Sequence, residues 1–61
     1  MDTTLINQQR VWHVQLEGER ARVAIAPSRV EAIRIVRFDW AREHRRSFEM
    51  SPECINIRRC Q

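Results

Sequence analysis

From Val11 to Glu17 the chain alternates strictly. Trp12, Val14 and Leu16 fall on one side and His13, Gln15 and Glu17 on the other, which is the period-two pattern of a half-buried strand. Glu17-Gly18-Glu19-Arg20 follows, a short polar stretch holding the only glycine of the chain. A tight reversal needs a residue that accepts positive φ, and Gly18 supplies it. Ala21, Val23 and Ile25 then alternate with Arg22, Ala24 and Ala26, so a second strand is predicted and the two form a hairpin.

Pro27-Ser28 ends the second strand and opens a helix. Ser28-Arg29-Val30-Glu31 has the form of a capping box, in which the Ser28 hydroxyl accepts from the Glu31 amide and the Glu31 carboxylate reaches back to the Ser28 amide. From there to about Arg46 no residue breaks a helix. At about 100° per residue, Val30, Ala32, Ile33, Val36 and Trp40 share one arc with Ala41 at its edge, and that arc is expected to pack on the hairpin. Arg42, Arg45 and Arg46 near the helix end suit the negative end of its dipole. Phe48 to Met50 alternates weakly until Pro52 and allows a short extra strand. Cys54 to Cys60, with Ile55 and Ile57 set against Cys54, Asn56 and Arg58, reads as a third strand returning to the sheet.

The predicted fold is therefore α+β: a single small ββαβ domain over residues 10–61, an antiparallel sheet of about three strands with one amphipathic helix on one face. Residues 1–9 read as an N-terminal arm that Leu5 and Ile6 could anchor. Trp12 and Trp40, one from the first strand and one from the helix, are the expected aromatic partners of the core. The second face of the sheet is left uncovered. His13, beside Arg22 on that face, extends a surface patch, and the open face leaves room for a homodimer contact or a docked partner.

Length limits what such a domain can do. Sixty-one residues make one domain, and a core of that size yields no more than roughly 3–5 kcal/mol of net stability without a staple or partner. A multi-part active site with its own pocket is not expected on that ground, and the chain is read as non-enzymatic. A hydrophobic fraction of 43% against 31% charged residues keeps it among globular chains. No P-loop, G-x-G-x-x-G or H-E-x-x-H occurs, so no cofactor is expected. Cys54 and Cys60 lack the spacing of a zinc knuckle, and His13 and His44 belong to other elements, so no metal is expected either. Six strand residues span about 20 Å, far beyond the roughly 7 Å a disulfide tolerates. His44 and Cys54 could form a Cys–His pair, but no glycine-rich turn offers the backbone amides that a nucleophile's oxyanion would need. With no apolar run of membrane length and no signal-peptide pattern at Met1–Asn7, the expected location is cytoplasmic, without membrane contact and with both cysteines as thiols.

Charge changes this picture most. All eleven basic residues are arginine, against eight acids, for a net charge of +3. Residues 1–27 carry three arginines and three acids, and residues 47–61 two of each. The helical stretch 28–46 carries six against three and so holds the whole excess. Opposite its core arc lie Arg34, Ile35, Phe38, Arg42, Arg45 and Arg46, spread over about 120°. A phenylalanine amid arginines has the composition of a protein-contact hot spot. The same ring could stack a base while guanidiniums hold phosphates. Cover for Ile35 and Phe38 from the N-terminal arm, or from Phe48 and Met50, is the alternative to either interface.

Two resemblances bear on function. Residues 22–34, Arg-Val-Ala-Ile-Ala-Pro-Ser-Arg-Val-Glu-Ala-Ile-Arg, resemble the stretch of carbon storage regulator (Csr/Rsm) proteins in which a strand runs into Ala-Pro, then a Val three residues on, then an RNA-contacting Arg. Ala26, Pro27, Val30 and Arg34 would hold those positions, which would imply RNA-binding regulation. The family's N-terminal Arg-x-x-Gly-Glu region is absent, and a capped helix begins where the family continues in strand. In size, architecture and arginine content the whole chain resembles small phage-encoded inhibitors of the anti-CRISPR type, which implies a protein that covers a surface of a larger nucleoprotein machine. The expected function is a binding protein that blocks or modulates a protein or ribonucleoprotein complex through its arginine-rich helix. A nucleic-acid-binding regulator, contacting RNA or DNA through the same arginines, is the alternative.

Overall fold

A computed structural model of the chain describes residues 9–60. Strand β1 (Arg10–Leu16), strand β2 (Arg22–Ala26), helix α1 (Arg29–His44), a 3-10 turn (Phe48–Met50) and strand β3 (Cys54–Cys60) follow in order. The sheet is antiparallel with order β2-β1-β3, so the first strand is central and both later strands are edges. This is the predicted ββαβ domain, with one helix on one face. The arm expected over residues 1–9 lies outside the described residues except for Gln9.

Between β1 and β2 the Leu16 carbonyl accepts from the Glu19 amide at 3.0 Å. Gly18 then occupies the third turn position at φ 79, the one that needs positive φ in a type II turn. The Gln15 side chain donates to the Glu19 carbonyl at 2.9 Å and ties the turn to the strand. At the other end of the hairpin the Trp12 indole donates to the Ala26 carbonyl at 3.0 Å. That bond supplies the polar partner a half-buried indole needs.

The core is one layer: Val14 and Leu16 from β1, Ala24 and Ala26 from β2, and Ala32, Val36, Trp40 and Ala41 from α1, with Trp12, Ile33, Cys54 and Ile57 packed at its border. Both tryptophans thus serve the core, Trp40 buried in it and Trp12 half-buried against it. On β2 the larger residues Val23 and Ile25 stay 62% and 60% exposed while Ala24 and Ala26 are buried. Size alone would favour the opposite. The alanines let the helix lie close over the hairpin, and the β-branched pair goes to the uncovered face, where register sets Ile25 opposite Val11 and Val23 opposite His13. His13 therefore lies between Val23 and Arg58, not beside Arg22. Arg22 pairs with Val14 and so points to the helix side.

Helix α1 starts as its cap predicts. The Ser28 hydroxyl accepts from the Glu31 amide at 3.3 Å, with Ser28 extended at φ −148. Only this half of the capping box forms; the Glu31 carboxylate makes no return bond among the described residues. Val30, assigned by periodicity to the core arc, is 66% exposed. It sits in the first turn and lines a groove with Phe48 instead of meeting the sheet.

The helix ends at His44, two residues earlier than predicted, because Arg45 turns left-handed at φ 54, ψ 47. The Arg46 amide donates to the Ala41 carbonyl at 2.9 Å and the Arg45 amide to the Arg42 carbonyl at 3.3 Å. This is a Schellman closure, with arginine in the place glycine usually takes. The extra strand allowed at Phe48–Met50 is a 3-10 turn. The third strand forms, but not with the predicted faces: a register shift opposite Gln15/Leu16 sets Leu16 against Cys54 and Gln15 against Asn56, so Cys54 joins Ile57 at the border of the core while Ile55 is 58% exposed. Cys54 and Cys60 are both free and half-buried.

These placements set the expected effect of three substitutions on stability. Ala24→Leu should destabilise by about 1–3 kcal/mol through overpacking, and Ile25→Thr on the open face should stay within about 0.5 kcal/mol, both read by urea denaturation. Arg45→Gly should raise the unfolding free energy by about 0.5–1 kcal/mol. Relief of the left-handed strain on an L-residue outweighs the added entropy of an unfolded glycine.

Candidate functional site: the outer face of α1

Helical spacing brings Ile35, Phe38 and Arg42 together on the face away from the sheet. Phe38 is 53% exposed. It is positioned from one side by Phe48, whose ring centroid lies 4.5 Å away at an interplanar angle of 44°. The cover predicted as an alternative thus exists in part: Phe48 supports Phe38 without burying it. Ile35 is exposed beside it.

The arginines of the set divide by environment. Arg42 is tied to Asp39 one turn back, an i,i+3 pair that orients its fork along the helix. Arg45 and Arg46 lie in the Schellman turn past the helix end, both exposed. Arg34 is exposed on the first half of α1 and lines the groove that also touches Phe48. Among the described residues no ion pair engages Arg34, Arg45 or Arg46. The six predicted residues thus form one central patch of Ile35, Phe38 and Arg42, with cationic ends at Arg34 and at Arg45–Arg46.

Arg37 was not among the predicted set, yet it organises the region. Its Nε donates to the Ser51 hydroxyl at 2.7 Å and its Nη2 to the Ser51 carbonyl at 3.4 Å. Its guanidinium lies 4.6 Å from the Phe48 ring centroid, within cation–π range. Ser51 is buried, and its hydroxyl donates to the Phe48 carbonyl at 2.6 Å. Arg37 therefore fixes the 3-10 turn against the helix, and the turn in turn fixes Phe38. Periodicity alone cannot show this, because it says nothing of how residues 48–51 return to α1.

On the opposite flank a polar chain joins helix to hairpin. The Trp40 indole donates to Glu19 at 3.3 Å, Arg22 lies 3.6 Å from Glu19, and the two terminal nitrogens of Arg22 each donate to one Glu43 oxygen at 2.9 Å. His44 stacks on the Trp40 ring at 4.3 Å and 20°, with its Nδ1 2.9 Å from the Trp40 carbonyl. Cys54 has its own partner, donating from Sγ to the Asn56 carbonyl at 3.4 Å. Among the described residues no three His, Cys, Asp or Glu side chains converge as a metal site would need, and no helix is long and apolar enough to cross a membrane.

The Arg22 hydrogen bonds hold the Glu43 carboxyl below its ordinary value of 4.5, helped by the charge of Arg22 and more weakly by His44 and Arg42. A carboxyl lowered in the folded state favours folding above its unfolded pKa, and that contribution is lost as pH falls through the folded value. The melting temperature of the native chain should therefore exceed that of Glu43→Gln near neutral pH. The gap should close as pH falls below 4.5 in thermal melts across a pH series.

No family model, curated protein or solved structure matches the chain; what the surface can bind follows from its own residues.

Proposed function

We propose that the chain is a non-enzymatic binding protein that blocks or modulates a larger protein or nucleoprotein complex through the outer face of α1. The observation that carries this reading is Phe38. A large aromatic side chain is left half in water, yet it is held in one place by Phe48, which Arg37 and Ser51 hold in turn. An anchor ordered before binding loses little rotamer freedom on docking. An aromatic among arginines has the residue types that dominate binding hot spots. Ile35 extends the apolar centre, and Arg34, Arg42, Arg45 and Arg46 form a charged rim, as protein interfaces commonly show.

The second reading is a regulator that grips RNA or DNA. It is favoured by the lack of ionic partners at Arg34, Arg45 and Arg46 among the described residues. Against it stand Glu31, Asp39 and Glu43 on or near the same helix surface, which would repel a phosphate track.

Capture of partners from a bacterial lysate by the immobilised chain, with and without nuclease, separates the two. On the protein reading, capture survives nuclease. Phe38→Ala then weakens it by about 2 kcal/mol or more, and loss of a single rim arginine costs less. On the nucleic-acid reading, nuclease abolishes capture, and log affinity falls with log salt by roughly 0.7–0.9 per phosphate contact. Undiminished capture by the triple variant Phe38→Ala, Arg42→Ala, Arg45→Ala would overturn both.

A further inference from the structure

Between the first half of α1 and the 3-10 turn runs an open groove of about 270 Å³, lined by Val30, Ile33, Arg34, Arg37 and Phe48. Its walls are unlike the rest of the helix surface. Val30, Ile33 and Phe48 supply aliphatic and aromatic carbon, and both charged residues in the lining are arginines. No acid lines it. Arg37 is already locked by Ser51 and Phe48, so one wall is rigid. Arg34 at the rim has no ionic partner among the described residues, and its guanidinium remains available to a ligand.

Resting on the reading of α1 as a protein-binding element, we infer that this groove seats an aliphatic side chain of an acidic protein segment. The apolar residue lies against Val30 and Ile33, and a flanking carboxylate takes the Arg34 fork. Charge complementarity selects the acidic partner: both charged residues that line the groove are arginines, which attract carboxylates and repel basic segments. Guanidinium and carboxylate also match as planar, bidentate partners. The floor selects protein over nucleic acid. A base needs an open aromatic face for stacking, and the Phe48 ring is covered by Arg37 at 4.6 Å and abuts Phe38 at 4.5 Å. The wall left for a ligand is therefore mainly the branched aliphatic surface of Val30 and Ile33, with only part of the Phe48 ring, which fits a leucine-like side chain better than a flat base. Together with Phe38, across the Phe48 ring, the groove makes a two-point anchor along one helix.

The test uses the full chain, labelled with ¹⁵N and at methyl groups, titrated with three probes: the capped pentapeptide EELEE, its glycine counterpart EEGEE, and a six-nucleotide oligothymidine. The leucine peptide should shift the Val30 and Ile33 methyls and the Arg34 and Phe48 amides, and bind at least about ten-fold tighter than the glycine peptide. Val30→Asp should remove that ten-fold preference. Val30 is exposed, so the variant should keep the dispersed spectrum of the native fold. Arg34→Ala should weaken both peptides alike. Equal binding of the two peptides, a leucine preference that survives Val30→Asp, or tighter binding of the oligothymidine at the same methyls would each overturn the inference. Val30 and Ile33 lie outside the Phe38, Arg42 and Arg45 set. A groove blind to leucine, with lysate capture still dependent on Phe38, therefore fails this inference alone. Capture indifferent to Phe38, Arg42 and Arg45 fails the reading beneath it.

Discussion

The contact of α1 with the hairpin, Ala32, Val36 and Trp40 over Val14, Leu16, Ala24 and Ala26, is the constraint on which the remaining structure depends. A chain this short has one apolar layer, and each residue in it is a large share of the total. The layer closes only because β2 presents alanines to the helix. Close approach then brings Trp40 within reach of Glu19 and Glu43 within reach of Arg22, so hydrophobic packing and the polar chain at the domain's edge share one cause. Displacing the helix by the width of a leucine would break both.

The same economy explains why the functional surface lies where it does. With one helix and one sheet, each apolar layer has an outer side that nothing else in the domain can cover. The helix solves this in part by recruiting Phe48 and Ser51 through Arg37, which orders the outer face without hiding it. The sheet leaves Val11, Val23 and Ile25 in the open. Charge is divided in a corresponding way. Arg22 pairs with Glu43 and ties the helix to the hairpin, Arg42 pairs with Asp39 within the outer face of α1, and Arg34, Arg45 and Arg46 border that face.

Most of the architecture was legible in local periodicity. The alternation of Trp12, Val14 and Leu16, the single glycine, and Ser28 as a cap each dictate a local structure that tertiary context did not override. Three features were not legible, for distinct reasons. The burial of Ala24 over Ile25 is decided by how near the helix can come, and strand alternation carries no distance. The early helix stop at His44 depends on Arg45 accepting a left-handed backbone, against the preference of its residue type. The roles of Arg37 and Phe48 arise from a return of the chain that the helical wheel cannot represent. For the same reason the wheel assigned Val30 to the core, although the sheet does not extend beneath it. The outer-face residues themselves were readable from spacing; their division into an ordered centre and cationic ends was not.

The strand order also has a kinetic consequence. The central strand β1 gains one neighbour from a local hairpin and the other from β3, whose Cys60 lies opposite Val11. The hairpin and helix can form from contiguous sequence, but the sheet is complete only when the two ends of the described chain meet, after the loop-closure entropy of nearly the whole domain has been met. During synthesis the outer edge of β1 stays open until residues 54–60 have left the ribosome. In that interval Val11, His13 and Gln15 sit on a strand with unpaired backbone on one side, the geometry most prone to pair with another chain. The arginines of β3 thus have a folding aspect as well: Arg58 and Arg59 reach the edge last and leave it charged, which discourages further strand addition once the domain has closed.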